Sequence, residues 1–275
     1  MALFVNTNLA SLNAQRHLAE SQSSLDTSLE RLSSGLRINN AYDDAAGLAI
    51  ADKLQRDTRV TAQAIRNAND GLSALAIGEK NLGQVTAVVT RLSELASESS
   101  TGTVTNTQRS AIQNEFTQLL SEIDRISKTA TFNGVSLLSG GAGLAIQVGL
   151  DGGVTSQINV STIDAQLSAL GIEASTIAVS TSASAQSSLS NLTSAIATIA
   201  NNRGTLGAYE SRLITAIANL RVASEQFSAA ESRIRDADVA AEAANLTRGN
   251  ILQQAGVAVL AQANQTPSVA LQLLR

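Results

Sequence analysis

The chain has 275 residues, 44% hydrophobic but only 2% aromatic, with a formal net charge of −4. That mild charge excludes the basic footprint nucleic acid demands, and the absence of cysteine excludes disulfides, thiol catalysis and thiolate metal sites. No stretch reaches the ~18 apolar residues of a membrane span, and the single proline, Pro267, leaves the rest of the chain free to form very long helices.

The first residues, MALFVNTNLASLNAQ, hold neither a basic n-region nor an apolar h-region, so export would not use an ordinary cleaved signal. Leu18, Gln22, Leu25, Leu29, Leu32 and Leu36 then follow at spacings of four and three, a heptad seam with one polar position. Gly35 and the Asn39–Asn40 pair interrupt it. A second periodic run, from about Leu48 to Ala96, carries Leu72, Leu75, Leu82, Val85, Val89, Leu92 and Leu95. A helix of ~50 residues spans ~75 Å, too long for an ordinary globular domain.

SESSTGTVTNTQ breaks that run, and Thr105 with Gln108 reads as a capping box for a new helix. Its seam is Ile112, Phe116, Leu119, Ile123 and Ile126. The glycine-rich segment that follows changes period. Leu144, Ile146, Val148 and Leu150 alternate with small or polar neighbours, as do Ile158 and Val160, which predicts strands joined by an Asp151-Gly152-Gly153 turn. Residues from about 161 to 185 show no clear period. A third long helix begins between Ala183 and Leu189 and carries Leu213, Ile217, Leu220, Ser224, Phe227, Glu231 and Ile234. A last helix runs from about Asp238 to the end, its face including Leu252, Ala255, Val259 and Ala263.

The fold class is therefore mainly α: a long antiparallel helical coiled-coil bundle with a small β-hairpin region, about 130–165, in the middle of the chain. The terminal helices cannot bury their apolar surface alone, so packing must supply their stability. Chemistry is absent. The one histidine, His17, has Ala14 rather than Glu three residues earlier, which removes the Glu-x-x-His pairs of a di-iron bundle and any His-Glu-x-x-His zinc site. It reads as a surface histidine. SGGAGLA lacks the Gly-Lys-Ser/Thr ending of a phosphate loop, and Asp43–Asp44 read as solvated charges at a helix start. No enzyme, cofactor or metal is expected. The chain reads as a helical protein built to assemble.

Particular segments then carry a resemblance. RLSSGLRINNAYDDAAGLAIADKL (31–54) resembles the N-terminal signature of bacterial flagellins, and NILQQAGVAVLAQANQTPSVALQLLR (250–275) their C-terminal signature. IRNANDGLSALAIGEKNL, NEFTQLLSEIDRISKTATFNG and RGTLGAYESRLITAIANL are similar to flagellin core segments, in the family's order. The resemblance covers about residues 1–150 and 185–275 and marks a short flagellin with little or no variable outer domain.

The resemblance implies a structural subunit that polymerises into the flagellar filament for motility; the alternative is a related hook–filament junction protein or a surface homologue with a binding role. It implies an N-terminal inner-core helix (1–43), an outer-core domain with connector, long helices and hairpin region (44–235) and a C-terminal inner-core helix (236–275). The expected inner-core packing residues are Leu9, Leu12, Leu252, Val259, Leu271 and Leu274. Partners implied are further copies of the chain, an export chaperone, the filament cap and hook-junction proteins, with no nucleic acid and no membrane. The location implied is extracellular, reached through the flagellar type III apparatus. Arg91, Leu95 and Glu115 match a face recognised by a flagellin-sensing Toll-like receptor of animals, a surface that the family also packs between protofilaments. Thr90, Ser93 and Ser97 depart from the usual residues there, and Tyr42 departs from the usual lysine of the connector.

Overall fold

The computed structural model describes residues 7–141 and 143–273, with side chains through residue 265. Six helices and four short strands follow in order: α1 (Leu9–Ser34), α2 (Ala45–Ser100), α3 (Asn106–Thr129), β1 (Thr131–Phe132), β2 (Val135–Ser136), β3 (Leu144–Gln147), β4 (Gln157–Val160), α4 (Leu167–Leu170), α5 (Ser182–Arg235) and α6 (Val239–Leu273). They form two compact units: residues 1–58 with 225–275, and residues 59–224.

The unit of residues 59–224 has the larger core. On α2, Leu75, Leu82, Val85, Val89, Leu92 and Leu95 recur every three, four or seven residues and are all but inaccessible to solvent. They meet Phe116, Leu120, Ile123 and Ile126 of α3 and Leu192, Ala195, Ile199, Leu206 and Leu213 of α5 in one cluster. Such 3–4 spacing keeps one stripe of each helix on the others. On α3 the stripe differs by one residue from the expected seam: Leu120 is buried and Leu119 half-buried. The Thr105 capping box is present, with the Thr105 side chain accepting from the Gln108 N–H and the Gln108 side chain answering the Thr105 N–H. Arg109 closes the turn from α2, its guanidinium donating to the carbonyls of Ser99 and Thr101 (both 2.9 Å).

Two antiparallel hairpins cover this core. Asn133 and Gly134, both at positive φ (48° and 79°), turn β1 into β2, the backbone that an Asn-Gly pair adopts most readily. In the second hairpin Leu144 pairs with Val160 and Ile146 with Ile158. The strand stops at Gln147, earlier than the alternation suggests, and Leu150 lies exposed in the connecting loop. That loop contains the expected turn, where Asp151 Oδ1 accepts from the Ser156 hydroxyl. The stretch without a period is irregular apart from α4, yet it buries Ile163, Leu170, Ile172, Ile177 and Val179.

In the unit of residues 1–58 and 225–275, α1 and α6 pair antiparallel. α1 stops at Gly35, whose φ of 72° only glycine adopts without strain and whose N–H bonds the Arg31 carbonyl (2.9 Å). Backbone bonds then tie the helix ends together: Arg37 N–H to the Arg235 carbonyl (2.6 Å) and Ala237 N–H to the Gly35 carbonyl (2.9 Å). Asp238 restarts the helix by accepting from the N–H groups of Ala240 and Ala241.

Candidate assembly interface

The α1–α6 seam is polar for a helix pair. From α6 it takes Glu242, Leu246, Gly249, Gln253, Gly256, Leu260 and Ala263, spaced four and three throughout, all buried or half-buried. From α1 it takes Ser11, Ala14, Leu18, Ser21, Gln22, Leu25, Ser28 and Leu32. A Cβ on Gly249 would lie 3.0 Å from Leu25 Cδ1, and one on Gly256 would lie 3.2 Å from Leu18 Cδ1. The two leucines therefore pack closely against the glycines, and a Cβ at either position would press on the leucine end.

Hydrogen bonds match along the same register. The Asn8 side-chain amide donates to the Ala263 carbonyl (2.8 Å). Ser11 Oγ donates to Asn264 Oδ1 (2.8 Å). Gln253 Nε2 donates to Gln22 Oε1 (2.6 Å). At the other end Ser28 Oγ donates to Glu242 Oε2 (3.0 Å) and Arg31 Nη1 to Glu242 Oε1 (3.1 Å). Burial pushes the Glu242 carboxyl up, but hydrogen bonds from Ser28, Arg31 and Asn245, with the Arg31 charge, outweigh it and hold the group below its ordinary value.

This seam divides the face read for α6: Ala263 lies in it, whereas Leu252 and Val259 are 51% and 59% exposed in the chain by itself, and Ala255 is exposed beside them. Leu29 of α1 is also turned out at 46%, with Ser28 inside in its place. Leu9 and Leu12 stand exposed at 61% and 53%. Leu274 lies outside the described residues, as does the Leu271 side chain. Ile251, Val239 and Val257 add exposed apolar side chains on further sides of α6. A helix apolar all round is one that expects neighbours on every side.

The second predicted face is only partly a face. Arg91 donates to Glu115 (2.9 Å) and Glu94 (3.0 Å) at the surface of the 59–224 unit. Leu95 is 2% exposed and belongs to the core, because it continues the α2 stripe from Leu92. It cannot line an outer face with the pair. His17 is exposed beside Glu20, at 3.1 Å. Asp43 accepts from the N–H groups of Asn39 and Asn40, and Asp44 from that of Gly47. These are local caps of the connector. Among the described residues no cluster of His, Cys, Asp and Glu could hold a metal ion, and no helix is long and apolar enough to cross a membrane.

The sequence reading missed Ser28, Arg31, Glu242 and the two glycines. A signal was present. Glu242, Gly249, Gly256 and Ala263 form a column at intervals of seven, opposite Leu32, Leu25, Leu18 and Ser11 of the antiparallel helix.

Comparison with known proteins agrees along the whole chain. Residues 5–142 match the bacterial flagellin N-terminal helical region, and residues 189–274 the C-terminal helical region. The chain is 40% identical over 274 residues to a flagellin of Halalkalibacterium halodurans, covering 99% of this chain and 100% of that one. It is 37% identical to the flagellar filament 33 kDa core protein of Treponema phagedenis (99% and 100% covered) and 38% identical to a flagellin of Bacillus subtilis (98% and 99%). Among solved structures, the crystal structure of Bacillus cereus flagellin is similar with a TM-score of 0.50 at 28% identity, over 56% of this chain and 88% of that one.

Proposed function

The chain belongs to the bacterial flagellin family and is a structural subunit of the flagellar filament, not an enzyme; we propose that its α1–α6 pair is the part whose outward apolar faces bind neighbouring copies. The observation that carries this is the outward display of Leu9, Leu12, Leu252 and Val259, each more than half exposed on a helix pair already closed on its own seam. Burying the exposed half of such a side chain contributes about half of the roughly 1.5–3 kcal/mol of full burial, and repetition along a polymer multiplies the gain. Leu271 and Leu274 extend the same set by sequence.

By function the chain divides into an inner core (1–43 and 236–275) and an outer core (44–235), at the breaks between α1 and α2 and between α5 and α6. The export chaperone, the filament cap and hook-junction proteins are further partners, and export runs through the flagellar type III apparatus to the extracellular filament. Family resemblance supports each. The exposed Arg91–Glu115 pair supports a contact face, for a neighbouring protofilament or a flagellin-sensing Toll-like receptor, without Leu95. The junction-protein alternative is not favoured, since the full-length relatives are filament proteins.

Seeded polymerisation tests the reading. Purified full chain added to filament fragments should elongate them, and a chain lacking residues 236–275 should not. Elongation by the truncated chain would overturn it.

A further inference from the structure

α6 presents a choice that its hydrophobicity does not make. The face that packs on α1 holds Leu246, Leu260 and Ala263 beside Glu242, two glycines and Gln253, whereas the face about a quarter turn away holds Leu252, Ala255 and Val259 beside Asn245 and Arg248. Apolar content alone does not choose between the two faces. The structure buries the first.

The reason lies on α1. Ser11 and Ser28 are each only 6% exposed, and Gln22 is half-buried between them. A buried hydroxyl or amide without a partner costs more than a made hydrogen bond returns. Each of these three groups finds its partner on one face of α6: Asn264, Glu242 and Gln253. Turning α6 to bring Leu252 and Val259 onto α1 would take the Ser28 hydroxyl from Glu242 and remove the α6 partners of Ser11 and Gln22, which would keep only their bonds within α1, to Gln15 and Asp26. It would also leave Arg31 without Glu242. Polar residues in a helix seam set orientation at some cost in stability.

We propose that the polar pairs Gln22–Gln253 and Ser28/Arg31–Glu242 set the rotation of α6 on α1, and thereby reserve the Leu252–Val259 face for a second copy of the chain. The intrachain seam is specified by hydrogen bonds, and the intermolecular surface keeps the apolar side chains. The glycine notches fit the packed face but do not account for three matched polar pairs along it.

This rests on the reading that α1 and α6 pair in the filament, and its test reads rotation rather than growth. The chain has no cysteine, so introduced pairs report without background. Ser11→Cys with Ala263→Cys reports the observed face, and Leu18→Cys with Val259→Cys reports the turned face. In filaments of the otherwise unchanged chain, only the first pair should form an intramolecular disulfide. Removing the α1 partners (Gln22→Leu, Ser28→Ala, Arg31→Leu) should cut the first link at least about tenfold, the loss expected from one stranded buried group or more, and raise the second. Exchanging the partners instead, Arg31→Glu with Glu242→Arg, keeps a matched pair at the same register and should keep the first link. Retention of the first link at its original yield after the α1 changes would overturn the proposal, since the glycine notches would then suffice. If the α1 variant forms no filaments, the exchanged pair decides: filaments that keep the first link support the proposal, and loss of the first link or of filaments overturns it. Filament loss from Leu252→Gln with the first link intact in the free chain would instead concern how copies bind one another.

Discussion

Leu25 of α1 lies directly over Gly249 of α6, where an added Cβ would come within 3.0 Å of its Cδ1. The same arrangement recurs one heptad away between Leu18 and Gly256, at 3.2 Å. The seam is thus closed by leucines packed tightly against glycines, and a side chain larger than a methyl there would have to displace them. Gly249→Leu should force the helices apart at a cost of about 1–3 kcal/mol. Filament elongation in the seeded assay should slow sharply, while thermal unfolding of the 59–224 core, followed by circular dichroism, should not move.

The carboxyl of Glu242 gives the seam an acid limb. Its value in the folded pair is held below the ordinary one by Ser28, Arg31 and Asn245 against the effect of burial. Over that interval the unfolded segment binds more protons than the folded one, so stability rises with pH. The contribution is complete above the ordinary glutamate value of about 4.3 and is lost as pH falls through the lower folded value. Filament stability should therefore fall in that acid window, and Glu242→Gln should flatten the fall. Light scattering of filaments titrated from neutral to acid pH, parent beside variant, checks both.

Phe116 is fully buried where α3 meets α2 and α5. Phe116→Ala removes the largest side chain of that core and should cost about 3–5 kcal/mol. A lowered thermal midpoint by circular dichroism is the expected result. Thr105→Ala removes one half of the capping box at the start of α3 and should cost about 1 kcal/mol, a smaller shift in the same experiment.

How much of this was legible in the sequence depends on how local each signal is. The Thr105–Gln108 box and the stop at Gly35 are written in neighbouring residues and appear where they were expected, and the β3–β4 alternation does so as far as Gln147. The stripe of α2 was legible because its large apolar residues recur at three and four; on α5 only the part from Leu213 was read, since the buried positions before it include Ala185, Ser188 and Ala195, small or polar residues that mark no stripe. The face of α6 was not. Its apolar residues go all round, and the packed side mixes Leu246 and Leu260 with a glutamate, a glutamine and glycines, so neither face stands out by its apolar content. Ser28 lost to Leu29 in the reading for the same reason: a buried serine is identified by its partner, here Glu242, 214 positions away in sequence. Leu95 was matched both to the apolar run of α2 and to an outer-face motif, and its burial at 2% exposure decides for the run. The stretch of residues 161–181 buries five large aliphatic side chains on an irregular backbone, which has no period to read.

Single polar substitutions on the outward faces separate assembly from folding. Leu252→Gln and Val259→Gln change side chains that are 51% and 59% exposed in the chain by itself. Surface changes of this kind usually alter fold stability by no more than about 0.5 kcal/mol. Together they should suppress seeded elongation while leaving the circular dichroism melt unchanged. A lowered melt with normal elongation would assign these residues to folding instead.

The most direct measurement is electron cryo-microscopy of the assembled filament at side-chain resolution. The account predicts that Leu9, Leu12, Leu252 and Val259 lie in van der Waals contact with other copies, with Glu242 still bonded to Ser28 and Arg31 of its own chain. Those four side chains facing solvent, or packed on the α1 of their own chain, would contradict it.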